Sequence, residues 1–537
     1  MITMERKTQY KFWIDKVAED VIEREKKLKR KIKVLQTESG LGASGFPHVG
    51  SFGDCTRAYV VSLAMKEAGA KSEYIPYADD RDGLRKVPLT LPDWLEKYIG
   101  APVTNIPDPF DCHKSFGEHM ISLLLESLDK AGFDYTPHFA SKDYNKGIFN
   151  EQIEKILLES KKAGQIIKKM LGQEKFEESL PYFPVCANCG KIYTTRSYEL
   201  LPKEHKVLYV CDGEFTGKNL NNGKEILIKG CGHKGEASYF NGNGKMSWKV
   251  EFAMRWAALP IVFEPLGKDI SDSVKVNDEI DRQILKFEPP MHIIYELFLQ
   301  KGGKKISKSY GNVFTPQVWF KYGSIQSLIL LMLKRFEGTR ELDVIDVPKY
   351  MDELDQLEKI NFNSKLLKTE RDKANAKRLY HFVYFGKPPK KEGTQILYHD
   401  LKNLVKIAPE KNKLEFVMKK LKEMKVKNLD EKEIEKRIKF VINWIIEQEV
   451  AGEEFEIEGK FKDAIEDLIV LIKREKNGEV LQKKIFEISQ KHSIKPPEFF
   501  KIIYKILLNL DTGPRLGPYI IDRGKAEVIE KLEDAVG

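Results

Sequence analysis

Lys31-Ile-Lys-Val-Leu-Gln-Thr37 runs directly into Glu38-Ser-Gly-Leu-Gly-Ala-Ser-Gly-Phe-Pro-His48-Val-Gly50, and the reading of these residues decides the fold. The first seven are a short apolar run that predicts a strand. The segment after them is dense in Gly and Ser and reads as a turn. A helical period follows from about Val49 to Ala68, through Phe52, Cys55, Tyr59, Ser62, Leu63 and Lys66. Glu73-Tyr-Ile-Pro-Tyr-Ala78 predicts a second strand and ends in Asp79-Asp80. Strand, glycine turn, helix and strand make a βαβ unit, so the expectation is a parallel sheet able to bind a nucleotide.

Outward from this unit, residues 10–31 predict a charged amphipathic helix. Residues 84–115 are rich in Pro and loop-like, 115–172 have a helical period, and 181–240 alternate short strands with Gly/Asn turns. Strand character returns at Leu259-Pro-Ile-Val-Phe-Glu264, a run suited to rejoining the parallel sheet. Gly302-Gly303 opens a loop rich in Lys and Ser. From Tyr350 onward the pattern is helical over 352–380, 397–424, 431–449, 461–474, 480–491 and 497–509, without a repeat. The expected fold class is α/β: a Rossmann-type parallel sheet split by an insertion that carries Cys186, Cys189, Cys211 and Cys231 and is therefore expected to be zinc-containing, followed by all-α C-terminal helical domains.

At 537 residues the chain exceeds what one hydrophobic core supports. Its 42% hydrophobic and 32% charged residues exclude collagen-like and wholly disordered classes. No apolar run approaches the roughly 18 residues that span a bilayer. Met1 to Lys16 lacks the apolar core of a signal peptide, so a cytoplasmic protein with no membrane partner is expected. The net charge of +9 is unevenly spread: Asn361 to Val426 carries 17 Lys and Arg against 7 Asp and Glu. That surplus fits either solvated helix faces or a surface turned towards phosphates.

A strand that enters a helix through a glycine turn presents backbone N–H groups and a positive helix end to an anion. The spacing is neither G-x-G-x-x-G nor G-x-x-x-x-G-K-[ST]. Alone, the turn also fits a tight corner with a satisfied histidine. His48 at the helix start can donate to a phosphate oxygen, and Gly50 leaves room for a close neighbour such as a nucleotide. Much later, Gly302-Gly-Lys-Lys305-Ile-Ser-Lys308-Ser-Tyr-Gly-Asn312 combines glycine hinges, two ammonium groups three apart, Lys305 and Lys308, and two serine hydroxyls. Such a loop can close over a triphosphate.

Together, Ser44-Gly-Phe-Pro-His48-Val-Gly50 and Lys305-Ile-Ser-Lys308-Ser309 resemble the His-Ile-Gly-His and Lys-Met-Ser-Lys-Ser pair of class I aminoacyl-tRNA synthetases. The resemblance implies catalytic roles for His48, Lys305 and Lys308. It implies ATP contacts from Ser44, Gly45, His48, Gly50, Ser51, Lys305, Ser307, Lys308 and Ser309, with Mg²⁺ accompanying ATP. Ser51 stands where the family motif has its second histidine.

Further stretches resemble the archaeal-type class I lysyl-tRNA synthetases. These are Asp79-Asp-Arg-Asp-Gly-Leu-Arg-Lys-Val-Pro88, Ile106-Pro-Asp-Pro-Phe-Asp-Cys-His-Lys-Ser-Phe-Gly117, Arg255-Trp-Ala-Ala-Leu-Pro-Ile-Val-Phe-Glu-Pro-Leu-Gly-Lys-Asp269 and Gly513-Pro-Arg-Leu-Gly-Pro518. The substrates implied are ATP, L-lysine and tRNA(Lys), joined through a lysyl-adenylate. The alternatives are a glutamyl-tRNA synthetase-like enzyme and a catalytically silent tRNA-binding paralogue. A lysine pocket needs carboxylates and aromatic faces, whereas a glutamate pocket needs an Arg fork. Glu38, Trp256 and Tyr295 are the amino-acid-binding candidates by motif position. Ile270 stands where family members commonly carry histidine.

Cys186-x-x-Cys189 has the spacing of a zinc knuckle, with Cys211 and Cys231 further on and His233 as an alternative fourth ligand. Asp108, Cys112, His113 and His119 contain the atoms for a second zinc site, with Asp111 able to replace Asp108. Cys55 reads as a small buried side chain. The domains expected are 1–100, the first half of the catalytic sheet; 101–240, a zinc-binding insertion contacting the tRNA acceptor end; and 241–300, the second half. Residues 301–350 then hold the Lys/Ser loop and a stem-contact region, and 351–537 an α-helical anticodon-binding region. Tyr380, Phe382 and Tyr384 are candidate platforms for unpaired bases.

Overall fold

Apolar residues recur at Ile14, Ala18 and Val21 with Glu25 in the same stripe, so helix α1 (Trp13–Leu28) buries one face and ends at Lys29 in the left-handed region. The buried Glu25 is held by Arg30 Nε, which donates at 2.7 Å. The structure, a computed structural model, describes residues 11–296, 298–299, 314–335, 338, 340–409, 412–448, 457, 459–508 and 510–537. The Lys/Ser loop with Lys305, Ser307, Lys308 and Ser309 lies outside the described residues.

The βαβ expectation is met. Strand β1 (Leu35–Gly42) leads through the turn to helix α2 (Val49–Glu67), which returns to β2 (Ser72–Asp79). β1 and β2 pair in parallel from Leu35↔Ser72 to Gly42↔Asp79. The strand therefore continues through Glu38-Ser-Gly-Leu-Gly42, a segment whose composition reads as a turn. Pairing with β2 along its whole length, joined by the strand Ile261–Gly267 at Gln36 and Thr37, takes up its N–H and C=O groups and outweighs the weak strand propensity of Gly and Ser. Ser39 adds a 2.7 Å hydrogen bond to the Tyr74 hydroxyl.

The sheet is completed by β3 (His138–Phe139), β4 (Ile261–Gly267) and β5 (Met291–Tyr295) in the order β5-β4-β1-β2-β3, all parallel. Leu259–Glu264 rejoins the sheet as expected. The order reverses beside β1, with β2 on one flank and β4 on the other. That places a crevice at the carboxyl ends of β1 and β4.

Between β2 and β4 lies the insertion. It holds helix α3 (Phe116–Ala131), shorter helices, and small antiparallel sheets made of Arg196–Leu201, Lys206–Val210 and Lys234–Ser238, and of Glu214–Asn219 with Glu225–Lys229. Tyr182–Pro184 pairs with Gly244–Met246 where the insertion returns to the sheet. The next helix, α4 (Trp248–Ala258), packs Trp256 into a core shared with Ile75, Tyr77 and Ile261.

The chain divides into two compact units. The first comprises Met1–Phe320, Ile325–Val344 and Asn363–Pro388; the second comprises Lys321–Ser324, Ile345–Phe362 and Pro389–Gly537. The helix Glu370–Val383 belongs to the first unit, where Phe382 stacks on Phe12 and Arg378 binds Asp15 and Glu67. Tyr380 and Phe382 are buried there, so they are core residues and not base platforms. The second unit is helical, and among the described residues it ends in two short helices, Leu516–Arg523 and Lys525–Val536. Gly517 belongs to the Gly513–Pro518 motif, and a Cβ there would lie 2.1 Å from the Gly478 carbonyl oxygen. Its lack of a side chain lets two helices touch backbone to backbone.

Candidate active site

His48 caps helix α2, and its Nδ1 accepts from the Ser51 amide at 3.2 Å. A neutral ring with an accepting Nδ1 carries its proton on Nε2. Gly50 permits this pose: a Cβ would lie 2.7 Å from the His48 ring. The His48 ring is thus a close neighbour at Gly50, which also lines a cavity. Ser51 in the family's second-histidine position gives its backbone amide to His48 and lines the same cavity. Ser44 and Gly45 do not line it.

The cavity, of about 250 Å³, opens at the carboxyl ends of β1 and β4. Gly40, Gly42, His48 and Gly50 form one side, and Glu264, Gly267, Asp269 and Tyr295 another. Helix α4 contributes Trp248, Phe252 and Arg255. Among the described residues, four carboxylates line the cavity (Asp54, Asp79, Glu264 and Asp269) against one guanidinium, Arg255.

That guanidinium is engaged within the wall. Arg255 Nε donates to Glu38 Oε1 at 2.6 Å, and Nη2 approaches Glu264 Oε1 at 3.4 Å. Burial, opposed by Arg255 and reinforced by Glu264, pushes the Glu38 carboxyl up to about 8. Glu38 is fully buried and stands behind Arg255, outside the cavity lining. Trp256 is also fully buried; its Nε1 donates to Glu264 Oε2 at 2.5 Å and so fixes that carboxylate from behind. Of the three amino-acid-binding candidates, only Tyr295 lines the cavity. Its hydroxyl donates to Asp54, and the buried Arg57 guanidinium lies 4.2 Å from its ring.

Asp79, at the end of β2, is held by Lys245. This ammonium is buried and meets Asp79 Oδ1 at 2.7 Å, Asp82 Oδ1 at 2.6 Å and Glu251 Oε2 at 3.0 Å. Burial, eased by Lys245, pushes the Glu251 carboxyl up to about 8. Trp248 Nε1 donates to Asp79 at 3.3 Å and the Tyr193 hydroxyl to Asp82 at 3.1 Å. Asp54, Asp79, Glu264, Trp248, Phe252 and Arg255 were not singled out from the sequence. The available signal was position, and for Asp79 alone: it is the last residue of a parallel strand, where such folds place ligands, whereas Glu264 lies midway along β4.

Two side-chain clusters in the insertion can hold a metal ion. The four thiols of Cys186, Cys189, Cys211 and Cys231 lie within 4.8 Å of one another. Two Sγ–Sγ separations, Cys186–Cys231 and Cys189–Cys211, are 3.7 Å. Thiolates about 2.3 Å from a tetrahedral zinc sit about 3.8 Å apart, so the donor set fits that ion. His233 is not in the cluster. The second cluster joins Asp108, Cys112, His113 and His119. Its six separations run from 3.1 Å, Cys112 Sγ to His113 Nδ1, to 3.8 Å, His113 Nδ1 to Asp108 Oδ2. His113 Nδ1 and His119 Nδ1 face each other at 3.2 Å, a pose suited to two lone pairs on one cation. Burial works against charge on Asp108, but the amides of Phe110, His113 and Cys112 hold its carboxyl down at about 2. Asp111 is not part of this set.

The family described as tRNA synthetases class I (K) matches residues 11–385. The Lysine--tRNA ligase of Cenarchaeum symbiosum (strain A) is 43% identical over 518 residues, covering 96% of this chain and 97% of the relative. That of Rickettsia bellii (strain OSU 85-389) is 31% identical over 507 residues, covering 93% and 92%. A solved glutamate-tRNA synthetase from Elizabethkingia anophelis superposes with a TM-score of 0.40 at 13% identity over 94% of this chain and 99% of that one, too faint a likeness to carry weight.

Proposed function

The chain belongs to the class I tRNA synthetases of the lysine group, and from that premise we propose how its cavity joins L-lysine to tRNA(Lys) using ATP. The enzyme is an aminoacyl-tRNA synthetase, a lysine--tRNA ligase. The lysine carboxylate attacks the α-phosphorus of ATP in line. A bond forms from carboxylate oxygen to phosphorus, the bond to the β-phosphate breaks, and pyrophosphate leaves. The 2′-hydroxyl of the terminal adenosine then attacks the carbonyl carbon, and AMP departs. Both steps are accelerated by positioning and by charge placed where it develops.

His48 serves the phosphates through Nε2, supported by the positive end of α2. Lys305 and Lys308, with Ser307 and Ser309, serve the same phosphates. Mg²⁺ arriving with ATP neutralises the phosphates. The carboxylate excess selects a cationic side chain: Glu264 and Asp54 hold the ammonium, while Tyr295 and Trp248 supply aromatic walls. Glu38 and Trp256 act one layer back, through Arg255 and Glu264. A glutamate substrate needs an Arg fork, and the Arg255 guanidinium is already engaged by two carboxylates. Zinc at the cysteine cluster braces the insertion, and the Asp108 cluster holds a second zinc. The insertion grips the acceptor end and the helical C-terminal region reads the anticodon. The enzyme works in the cytoplasm; among the described residues no helix is long and apolar enough to cross a membrane.

The observation that carries this reading is the carboxylate-rich cavity at the strand-order reversal. A panel of amino acids tested for ATP-dependent charging of tRNA decides it. Lysine alone should be transferred; charging with glutamate, or with none of the panel, would overturn the assignment.

A further inference from the structure

Helix α2 carries a guanidinium that does not reach the cavity. Arg57 is 1% exposed, and neither its Nε nor its Nη1 has a hydrogen-bond partner among the described residues. Burial holds its pKa below the ordinary value, against the opposing pull of Tyr295 and Asp54. A buried charge without hydrogen bonds is costly, so other contacts have to hold it. Two do. The Tyr295 ring lies 4.2 Å from the guanidinium, and Asp54 Oδ1 lies 3.9 Å from Nη1.

The backbone makes room for this arrangement. Gly53 stands within α2, where glycine is an unfavourable choice. A Cβ there would lie 2.9 Å from Arg57 Nη1 and 2.6 Å from Met332 Sδ. A cation short of partners and a glycine inside a helix thus meet directly behind two cavity-lining groups, Asp54 and Tyr295. Local costs of this kind gather where function maintains them.

The dependence runs one way. Asp54 is 24% exposed and faces the cavity, so its charge does not need Arg57, whereas Arg57 has no outlet of its own. In return the guanidinium holds Tyr295 by its face, while the Tyr295 hydroxyl donates to Asp54. The three side chains close a triangle that fixes the depth of the Asp54 carboxylate. A carboxylate at one depth reads the length of a cationic side chain, because an ammonium that stops short of it goes unpaired.

We propose that Arg57 is a positioning residue that sets selectivity for side-chain length by locking Tyr295 and Asp54 in place. It touches no substrate. The assignment rests on the function proposed above and names what holds that pocket in shape.

The test measures kcat and KM for lysine in the charging of tRNA(Lys), and the inhibition constant of ornithine, which is one methylene shorter. It uses the whole enzyme and the variants R57M, R57K and G53A. R57M should raise the lysine KM about tenfold, the size of one loosened charge-assisted contact, and leave kcat within about twofold. Its melting temperature should be equal or higher, because a neutral side chain of similar length removes the buried charge. The ornithine constant should stay the same, since the shorter chain does not reach the held carboxylate. Discrimination then narrows by the same factor. R57K keeps a cation over the ring and should stay within about threefold of the unaltered KM. G53A leaves Arg57 in the chain but displaces its guanidinium, so it should raise the lysine KM as R57M does.

An unchanged lysine KM in both R57M and G53A, or a loss shared equally by ornithine, would refute the role. A fall in kcat that tracks a lowered melting temperature at constant KM would refute it too, since packing alone explains that result. Any of these beside an unaltered enzyme that charges lysine sinks only Arg57. An unaltered enzyme that charges no lysine sinks the function it rests on.

Discussion

Lys245 shows how much one side chain can organise. It gathers carboxylates from the end of β2 (Asp79), from the turn after it (Asp82) and, far later in the chain, from helix α4 (Glu251). Its ammonium is held well above its ordinary pKa: burial works against the charge, and Asp79, Asp82 and Glu251 together outweigh it. Removing one member of such a group leaves buried charges uncompensated, which costs about 3–5 kcal/mol. Lys245→Met should therefore lower the melting temperature markedly. The deficit should shrink as pH falls from 8 to 5, because the abandoned carboxylates then take up protons. A deficit that is the same at both pH values would mean the side chain stabilises by packing alone.

At the scale of elements, the π-helical turn Asp281–Leu285 after the helix Ser271–Ile280 is informative. Both carboxylate oxygens of Asp281 are buried there without a hydrogen-bond partner. Burial, with the nearby Asp278 carboxylate, raises its pKa well above the ordinary value. The folded state thus keeps a proton that the unfolded chain releases above about pH 4. Stability from this group is present at low pH and declines by about 1.4 kcal/mol per pH unit until the raised value is passed. Asp281→Asn should match the unaltered protein near pH 4 and gain on it at higher pH, read from urea midpoints by tryptophan fluorescence. Parallel pH profiles would remove the group from the balance.

The cysteine cluster belongs to the same scale, because its small core contains little besides Cys186, Tyr209 and Cys211. Without metal, four thiols would have to hold short strands by packing alone. Cys186→Ser should lower the zinc content by about one ion per chain, the number one such site binds, and loosen the insertion. Unchanged zinc by elemental analysis would exclude the site.

For the whole molecule, the division into two units sets where the chain can be cut. Residues 363–388 pack with the catalytic unit through Phe382 on Phe12 and Phe385 on Tyr59. A chain ending after Pro388 should retain ATP-dependent lysine activation in the presence of tRNA, whereas one ending at Tyr350 should be insoluble or inactive. The longer fragment should also become indifferent to anticodon substitutions. Retained anticodon discrimination would place that reading outside residues 389–537.

Periodicity made the local frame legible: α1, α2, β2 and the return of the chain at Ile261 follow from apolar spacing that any core-facing element must show. The histidine-capped turn and the two side-chain clusters able to hold a metal ion were legible for a related reason, since His48, the cysteine pairs and the Asp108–His119 run are local in sequence or fixed by ligand chemistry. Two helices expected as continuous, 352–380 and 397–424, are each broken. One break falls at Ala408-Pro409, where proline forbids the continuing turn. The final pair of helices was not anticipated. What the sequence could not show was which side chains share the cavity. Glu38 and Trp256 carry the right chemistry yet lie behind Arg255 and Glu264, and Gly50 accommodates a histidine ring. Local spacing determines what an element is and which ions its side chains can bind. Facing distances between residues far apart in the chain arise only when strands fall into register, so the tertiary structure alone decided the pocket.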